Sequence, residues 1–218
     1  AGTLNITGGG SVNSRYVDIG VESNSTGTVT VSGAGSTWTT GQLAIGYYGD
    51  GTLGISDGGS VSNTYGIIGL RPDTTGTVTV SGVGSTWTNS EWLSVATYGD
   101  GTLDITDGGS VSNTDSYIGK MLGSSGIVTV QDAGSSWTNS ENLYIGGSDI
   151  ASGGTGELTA RNGGAVNVAG KLKLWSVGAL TINGGSISAG SLEIDAAAAF
   201  DFKAGSLSYG GELLVGAG

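Results

Sequence analysis

The sequence predicts an all-β protein, a right-handed parallel β-helix (β-solenoid) of about nine coils of 20–25 residues each. Three observations lead to this fold. A pattern of about 25 residues repeats along the chain, its apolar residues alternate with polar ones, and 45 of the 218 residues are glycine. One such unit cannot bury its own apolar stripe, whereas stacked units cover one another. Parallel crossovers are right-handed, which gives the expected hand of the helix.

Two sequence motifs alternate and define the repeat. Leu4, Leu53 and Leu103 mark three copies of the first motif, and they lie 49 and 50 residues apart. The second motif falls midway between them, so the true unit is half of that spacing. A β-propeller also uses blades of about 50 residues, but the half-period and the three copies argue against a closed ring. Residues 1–157 carry the regular double repeat, and residues 158–218 continue the β-helix in shorter, more divergent coils. The first motif occupies residues 2–9, 51–59 and 101–109, and the second occupies residues 27–39, 76–88 and 126–138.

The alternating apolar positions predict columns of core side chains along the solenoid axis. The first strand of each coil offers two inward positions, separated by one outward position. A tryptophan in every second coil replaces the valine of the alternate coil, so we expect the indoles in the core as well. The core columns contain Leu4, Val29, Leu53, Val78, Leu103, Val128 and Phe200; Ile6, Val31, Ile55, Val80, Ile105, Val130 and Phe202; and Trp38, Trp87 and Trp137 alternating with Val12, Val61 and Val111.

An asparagine follows two residues after this Val/Trp position in four successive coils. The four residues are Asn63, Asn89, Asn113 and Asn139. Amide side chains stacked on parallel, in-register strands hydrogen-bond along the stacking axis. The column therefore predicts a structural ladder that joins neighbouring coils.

The composition excludes several classes of function. The chain has no histidine and no cysteine, so the usual zinc, haem and iron–sulfur ligands and all histidine- or thiol-dependent catalysis are absent. Its net charge of −11 has the wrong sign for binding the phosphates of nucleic acid. No apolar run is long enough for a transmembrane helix. We therefore expect no cofactor, no nucleic-acid partner, no membrane insertion of this segment and no enzymatic activity.

Aspartates in repeated glycine turns are the strongest candidates for a metal site. Asp50 and Asp100 lie in matching Gly-Asp-Gly turns, and Asp57 and Asp107 lie in matching Asp-Gly-Gly turns. Equivalent carboxylates belong to alternate coils, about 9.6 Å apart at the usual strand spacing, which is too far to share a calcium ion. Because Asp before Gly favours tight turns, we interpret these residues as turn formers and expect no metal.

Two surface features leave a ligand-binding role open. Trp92 and Trp175 lie outside the repeated motifs, and residues 148–155 form an insertion, so a carbohydrate-binding or polysaccharide-degrading surface remains the alternative function.

Outward threonines of the first strand would form a regular array of the kind that ice-binding proteins use. Residues such as Gly54, Asp104 and Glu157 interrupt that array, and threonine is common on exposed strands in any case.

The repeated residues resemble a known family. The run Gly-Thr-Val-Thr-Val-Ser-Gly-x-Gly-Ser-Thr-Trp-Thr, followed by Leu-x-Ile-Gly and Gly-Asp-Gly-Thr-Leu, is similar to repeats of autotransporter (type V secretion) passengers and PEP-CTERM-associated surface proteins. The similarity covers about residues 1–147, and residues 158–218 look more like the general autotransporter-associated β-helix repeat. The resemblance implies a β-solenoid that is secreted or displayed on the surface of a Gram-negative bacterium, and it implies no catalytic residues.

Both ends of the sequence look like interior repeats. Residues 2–4 already match the first motif, and residues 213–216 match the Leu-x-Ile-Gly segment. Uncapped coils expose strand edges and a cut apolar core. We therefore expect either end-to-end self-association into a fibre or continuation within a longer chain. Together these observations predict an extracellular structural or adhesive element.

Overall fold

The computed structural model describes residues 1–217, which form strands and turns and contain no helix. The chain winds through about nine stacked coils with three strand-bearing faces each. In coils 1–6 each face has its own short strand, and in coils 7–9 adjoining strands merge around the corners. The strands are β1 (Gly2–Thr7), β2 (Ser11–Asn13), β3 (Tyr16–Ile19), β4 (Thr26–Ser32), β5 (Thr37–Thr39), β6 (Gln42–Ile45), β7 (Asp50–Ser56), β8 (Ser60–Asn63), β9 (Tyr65–Ile68), β10 (Thr75–Ser81), β11 (Thr86–Asn89), β12 (Leu93–Val95), β13 (Asp100–Thr106), β14 (Ser110–Asn113), β15 (Ser116–Ile118), β16 (Ser125–Gln131), β17 (Ser136–Asn139), β18 (Leu143–Ile145), β19 (Thr155–Arg161), β20 (Ala165–Leu174), β21 (Gly178–Asp195), β22 (Ala199–Tyr209) and β23 (Leu213–Ala217).

Equivalent strands of neighbouring coils pair in parallel and in register. On the first face, Val29 lies opposite Leu4 and Leu53, and Val78 lies opposite Leu53 and Leu103. The parallel pairing runs on through β16, β19, β21 and β22, with register shifts after Ala160 and after Ile182. The shorter coils after residue 157 thus extend the solenoid that the regular coils begin. At a strand spacing of about 4.8 Å, nine coils make a rod roughly 43 Å long.

The apolar columns form one continuous core along the axis. Val31, Leu53, Val78 and Leu103 are completely buried or nearly so. Each side chain packs between its equivalents in the coils above and below, which is why the strict 25-residue spacing produces a core. Burying a side chain of this size stabilises a protein by about 1.5–3 kcal/mol.

Two residues of the expected core columns are exposed. Leu4 is 41% exposed and Phe202 is 50% exposed. Leu4 has only Val29 as a cross-strand neighbour, and Phe202 has only Ile182. Each is therefore covered on one side only, because it belongs to the first or the last described coil.

The tryptophans occupy the same inward position as the valines of the alternate coils. Trp38 pairs with Val12 and Val61, and Trp87 pairs with Val61 and Val111. Trp38, Trp87 and Trp137 are at most 1% exposed. The small valine on either side makes room for the indole, so the size of the side chain at this position alternates from coil to coil.

Tight glycine turns connect the first and second faces. In the turn after β7, Asp57 and Gly58 have φ angles of 53° and 82°, a backbone conformation that Asp, Asn and Gly adopt most readily. A Cβ atom at Gly59 would collide with the carbonyl oxygen of Val31 in the coil below. The second glycine of this turn is thus required by the close approach of two coils.

The third corner carries the longest connections. In coil 6 it is lengthened by the insertion, where Gly147 and Ser152 form an antiparallel bridge. Ile150, at its tip, is 84% exposed. A search of residues 1–217 finds no helix with the length and hydropathy needed to cross a bilayer.

Candidate functional surfaces

Hydrogen bonds connect the buried tryptophans to the asparagine column. Trp87 Nε1 donates to Asn63 Oδ1 at 2.7 Å, and Trp137 Nε1 donates to Asn113 Oδ1 at 2.9 Å. In coil 1 a serine stands at the asparagine position, and the Oγ of Ser14 accepts a hydrogen bond from the indole N–H of coil 2 at 3.2 Å. Each buried indole N–H therefore has an acceptor, which a tryptophan in a core needs.

The asparagines form two pairs, which differs from the continuous ladder that we expected. Asn63 Nδ2 donates to Asn89 Oδ1 at 2.6 Å, and Asn113 Nδ2 donates to Asn139 Oδ1 at 2.9 Å. The Nδ2 atoms of Asn89 and Asn139 have no partner among residues 1–217. The ladder is interrupted between Asn89 and Asn113, where the Asn113 Oδ1 accepts from the Trp137 indole and not from Asn89.

Trp92 lies on the third face in a column of aromatic and basic side chains. Its ring centroid is 5.2 Å from that of Tyr65, and Lys120 Nζ lies over both Trp92 and Tyr117, at 5.2 and 4.1 Å. Tyr117 stacks on Tyr144, with centroids 5.4 Å apart. Cation–π contacts at partly exposed sites stabilise by about 0.5–1 kcal/mol each. The half-buried Trp92 ring is thus engaged by neighbours of its own chain.

Burial and nearby carboxylates alter the ionisation of this column. Burial raises the pKa of Tyr117 to about 12, and the negative charges of Asp115 and Asp149 add to the rise. Burial also lowers the pKa of Lys120, an effect that Asp149 opposes. The pKa of Tyr144 is raised for the same reasons as that of Tyr117.

Trp175 anchors the insertion. Its Nε1 donates to the carbonyl oxygen of Ser148 at 2.8 Å, and its ring lies where a Cβ atom of Gly147 would be. Trp92 and Trp175 are on coils 4 and 7, about 14 Å apart along the axis at the usual strand spacing. The two residues that we singled out as carbohydrate-binding candidates therefore do not form one compact site.

The carboxylates of the turn aspartates accept hydrogen bonds from other residues of the same chain. Asp57 Oδ2 accepts hydrogen bonds from Ser32 Oγ at 2.9 Å and Ser56 Oγ at 3.0 Å. Asp50 Oδ1 accepts one from the backbone N–H of Thr75 at 3.0 Å. Residues 1–217 contain no group of three or more acidic side chains placed to hold a metal ion. The carboxylates thus stabilise turns and neighbouring coils.

A charged cluster lies on the third face where coils 7 and 8 meet. Lys173 Nζ contacts the carboxylates of both Asp195 and Glu193, the latter at 2.6 Å. Lys171 Nζ contacts the other Glu193 oxygen at 2.8 Å. The Lys173 ammonium also lies 4.4 Å from the centre of the Trp175 ring. Lys173 and Asp195 are only 5% and 9% exposed.

Each end of the described rod opens into an apolar cavity. The cavity at the first coil has a volume of about 430 Å³ and is lined by residues that include Leu4 and Val29. The cavity at the last coil has a volume of about 510 Å³ and is lined by residues that include Leu207 and Val215. Among the described strands, β1 pairs only with β4, and β22 pairs only with β21. One edge of each end coil therefore has no partner among the described strands.

A comparison of this chain with protein-family models, curated proteins and solved structures finds no match.

A buried serine column joins the coils and was not recognised in the sequence. Ser36 Oγ accepts a hydrogen bond from Gly9 N at 3.1 Å, and Ser85 Oγ accepts one from Gly58 N at 3.0 Å. Ser135 makes the same bond one repeat later. The fixed serine after Gly-x-Gly or Ala-Gly in the second motif was a usable signal. Lys173 gave no such signal, because it lies outside the regular repeat.

Proposed function

We propose that this chain is a structural element, a stiff spacer within a secreted or cell-surface assembly of a bacterium. The observation that carries the proposal is the parallel pairing of equivalent strands over about nine coils around one apolar core. Such a rod resists bending because every coil is held by hydrogen bonds on three faces and by shared core columns. The extracellular setting rests on the resemblance of the repeated motifs to surface-protein repeats.

The end coils support a role in a longer assembly. Their free strand edges and apolar cavities need a cover, which either further coils of the same chain or a second copy would provide. A second copy would add its strands in parallel and meet the first through two different surfaces. Contacts of this head-to-tail kind do not close and lead to filaments. We propose that the end coils are covered by further β-structure of the same kind.

Negative-stain electron microscopy at several protein concentrations tests self-association. We expect unbranched fibres that become longer as the concentration rises. The variant Leu4→Asp places a charge in the end cavity and should abolish the fibres. The matched control is Ile127→Asp, because Ile127 is 42% exposed on the side of the rod and Leu4 is 41% exposed at its end. Discrete rods at every concentration would contradict self-association and leave continuation within a longer chain as the cover.

Carbohydrate binding has less support. The rings of Trp92 and Tyr117 are flanked by Lys120 and by other aromatic rings, and the Trp175 indole is hydrogen-bonded to the insertion. Sugar stacking needs an open aromatic face, which these contacts reduce. Loss of glycan retention in a Trp92→Ala variant would nevertheless favour this alternative over a purely structural surface.

A further inference from the structure

The charged cluster between coils 7 and 8 contains the only buried charged residues in the part of the chain described. These are Lys173 on β20 and Asp195 at the end of β21. Lys173 lies opposite Glu193 in the strand register, and Asp195 follows two residues later on the same face of β21. The amine of one coil and two carboxylates of the next are thus held together by the strand pairing itself.

The surroundings of Lys173 keep water away from this contact. The side chain of Lys173 is 7% exposed and that of Asp195 is 9% exposed. The Trp175 ring covers the ammonium at 4.4 Å. Burying an ion pair costs desolvation free energy, which can exceed the attraction between the charges. A neutral covalent product would remove both buried charges.

We propose that Lys173 and Asp195 condense to form an intramolecular isopeptide bond, with Glu193 as the proton carrier. Lys173 Nζ forms a bond to the Asp195 carboxyl carbon, and one Asp195 oxygen leaves. The ammonium and the carboxylate together lose one water molecule: two protons of the ammonium leave with that oxygen. Glu193 takes a proton from Nζ and delivers it to the departing oxygen, so that it ends in its initial state. The step needs no oxidant, reductant or co-reactant.

The pKa shifts stabilise the ion pair, so proton transfer out of it is the uphill first step of the reaction. Hydrogen bonds from Lys171 and Lys173 lower the pKa of Glu193, so it starts as a carboxylate with oxygens that can receive a proton. Burial acts to lower the pKa of Lys173, but hydrogen bonds to Asp195 and Glu193 outweigh burial and raise it. The amine therefore begins as an ammonium, and it becomes a nucleophile only after passing a proton to a carboxylate. Glu193 Oε1, at 2.6 Å, is in position to receive it.

The bond would join two successive coils covalently. Lys173 and Asp195 are 22 residues apart, so the bond would close a loop of one complete coil. A crosslink of this length removes conformational freedom from the unfolded chain. It would prevent coil 8 from peeling away from coil 7 under pulling force or heat. The inference concerns a chemical bond within this chain and does not depend on the proposed extracellular role.

Intact-mass spectrometry of the purified full chain tests the proposal. We expect a mass lower than that of the sequence by one water molecule. A tryptic digest should contain residues 172–203 as one internally crosslinked peptide, lighter than its sequence by one water molecule, with no cleavage after Lys173. A full sequence mass with ordinary cleavage at Lys173 would overturn the proposal.

Variants separate this bond from other losses of water. The variant Lys173→Arg keeps the positive charge but should retain the full mass, whereas Lys171→Arg, the matched control, should still lose water. The variant Glu193→Gln should fold, as judged by circular dichroism, and retain the full mass. Water loss that persists in Lys173→Arg would come from aspartate–glycine turns such as Asp57-Gly58 and would overturn the proposal. Complete bond formation in Glu193→Gln would overturn the role of Glu193.

Discussion

Replacing Asn63 with alanine tests how the buried polar groups hold neighbouring coils together. The Asn63 amide makes two buried hydrogen bonds, one accepted from Trp87 Nε1 at 2.7 Å and one donated to Asn89 Oδ1 at 2.6 Å. Alanine at position 63 can make neither of these hydrogen bonds. The indole N–H and the Asn89 oxygen would then remain buried without a hydrogen bond, because the surrounding core columns exclude water.

The size of the effect follows from these two orphaned groups. Each buried donor or acceptor left unsatisfied costs about 1–3 kcal/mol. Asn63→Ala should therefore lower the free energy of unfolding by roughly 2–6 kcal/mol. Asn63→Ser should cost less, because Ser14 shows that a serine Oγ at this position accepts the indole N–H, at 3.2 Å. Only the Asn89 oxygen would then lose its partner, at a cost of about 1–3 kcal/mol.

Urea unfolding followed by circular dichroism and by tryptophan fluorescence measures these differences. Coincident transitions of the two probes would justify a two-state treatment. The control is Asn13→Ala, because Asn13 lies on the equivalent face but is exposed, and its loss should change stability by no more than about 0.5 kcal/mol. If Asn63→Ala costs no more than Asn13→Ala, the buried amide does not hold the coils together and the argument is wrong.

Three further variants test the turns and the third face. Gly69 has a φ of 68° and its Cβ would meet the backbone of Asp100, so Gly69→Ala should destabilise by at least about 1–3 kcal/mol; Gly54→Ala, with open space around it, should be near neutral in the same urea titration. Trp175→Ala removes the hydrogen bond to Ser148 and should speed proteolysis within the insertion, and an unchanged cleavage rate would contradict the anchoring role. Burial raises the pKa of Tyr117 to about 12, so the protonated phenol is favoured in the folded state. The stability that this phenol contributes is complete below the pKa of about 10 that it has in the unfolded chain, and it is lost as the pH rises through 12. Tyr117→Phe should therefore flatten the alkaline fall in stability, and equal slopes would refute this.

The fold could be predicted because local and long-range requirements coincide in a solenoid. Each inward position, such as Val29 or Leu53, has the same neighbour in every coil, so one repeat spacing fixes both the strand period and the three-dimensional contact. Leu4 and Phe202 hold the same inward positions, and they are exposed because their coils are the first and the last of those described.

The polar contacts were harder to predict than the core. The asparagine column was visible, but its division into pairs depends on side-chain rotamers that spacing does not determine. The cluster around Lys173 arises where the repeat has drifted, so no periodic signal marks it. Sequence periodicity thus reports what every coil shares, whereas the specific contacts arise where coils differ.

The paired hydrogen bonds explain why the sequence repeats at about 50 residues when the coil has about 25. The indole bond from Trp87 to Asn63 and the serine bond from Ser85 to Gly58 both join coil 3 to coil 4. Equivalent contacts join coil 1 to coil 2 and coil 5 to coil 6. A valine coil and the tryptophan coil after it therefore form one unit, joined by two clamps, the indole hydrogen bond and the serine hydrogen bond. The valine coil supplies the acceptor and the space that the next indole needs. Stability in a solenoid is a sum over neighbouring interfaces, so the interface between coils 4 and 5, which lacks both clamps, should open before the interface between coils 3 and 4.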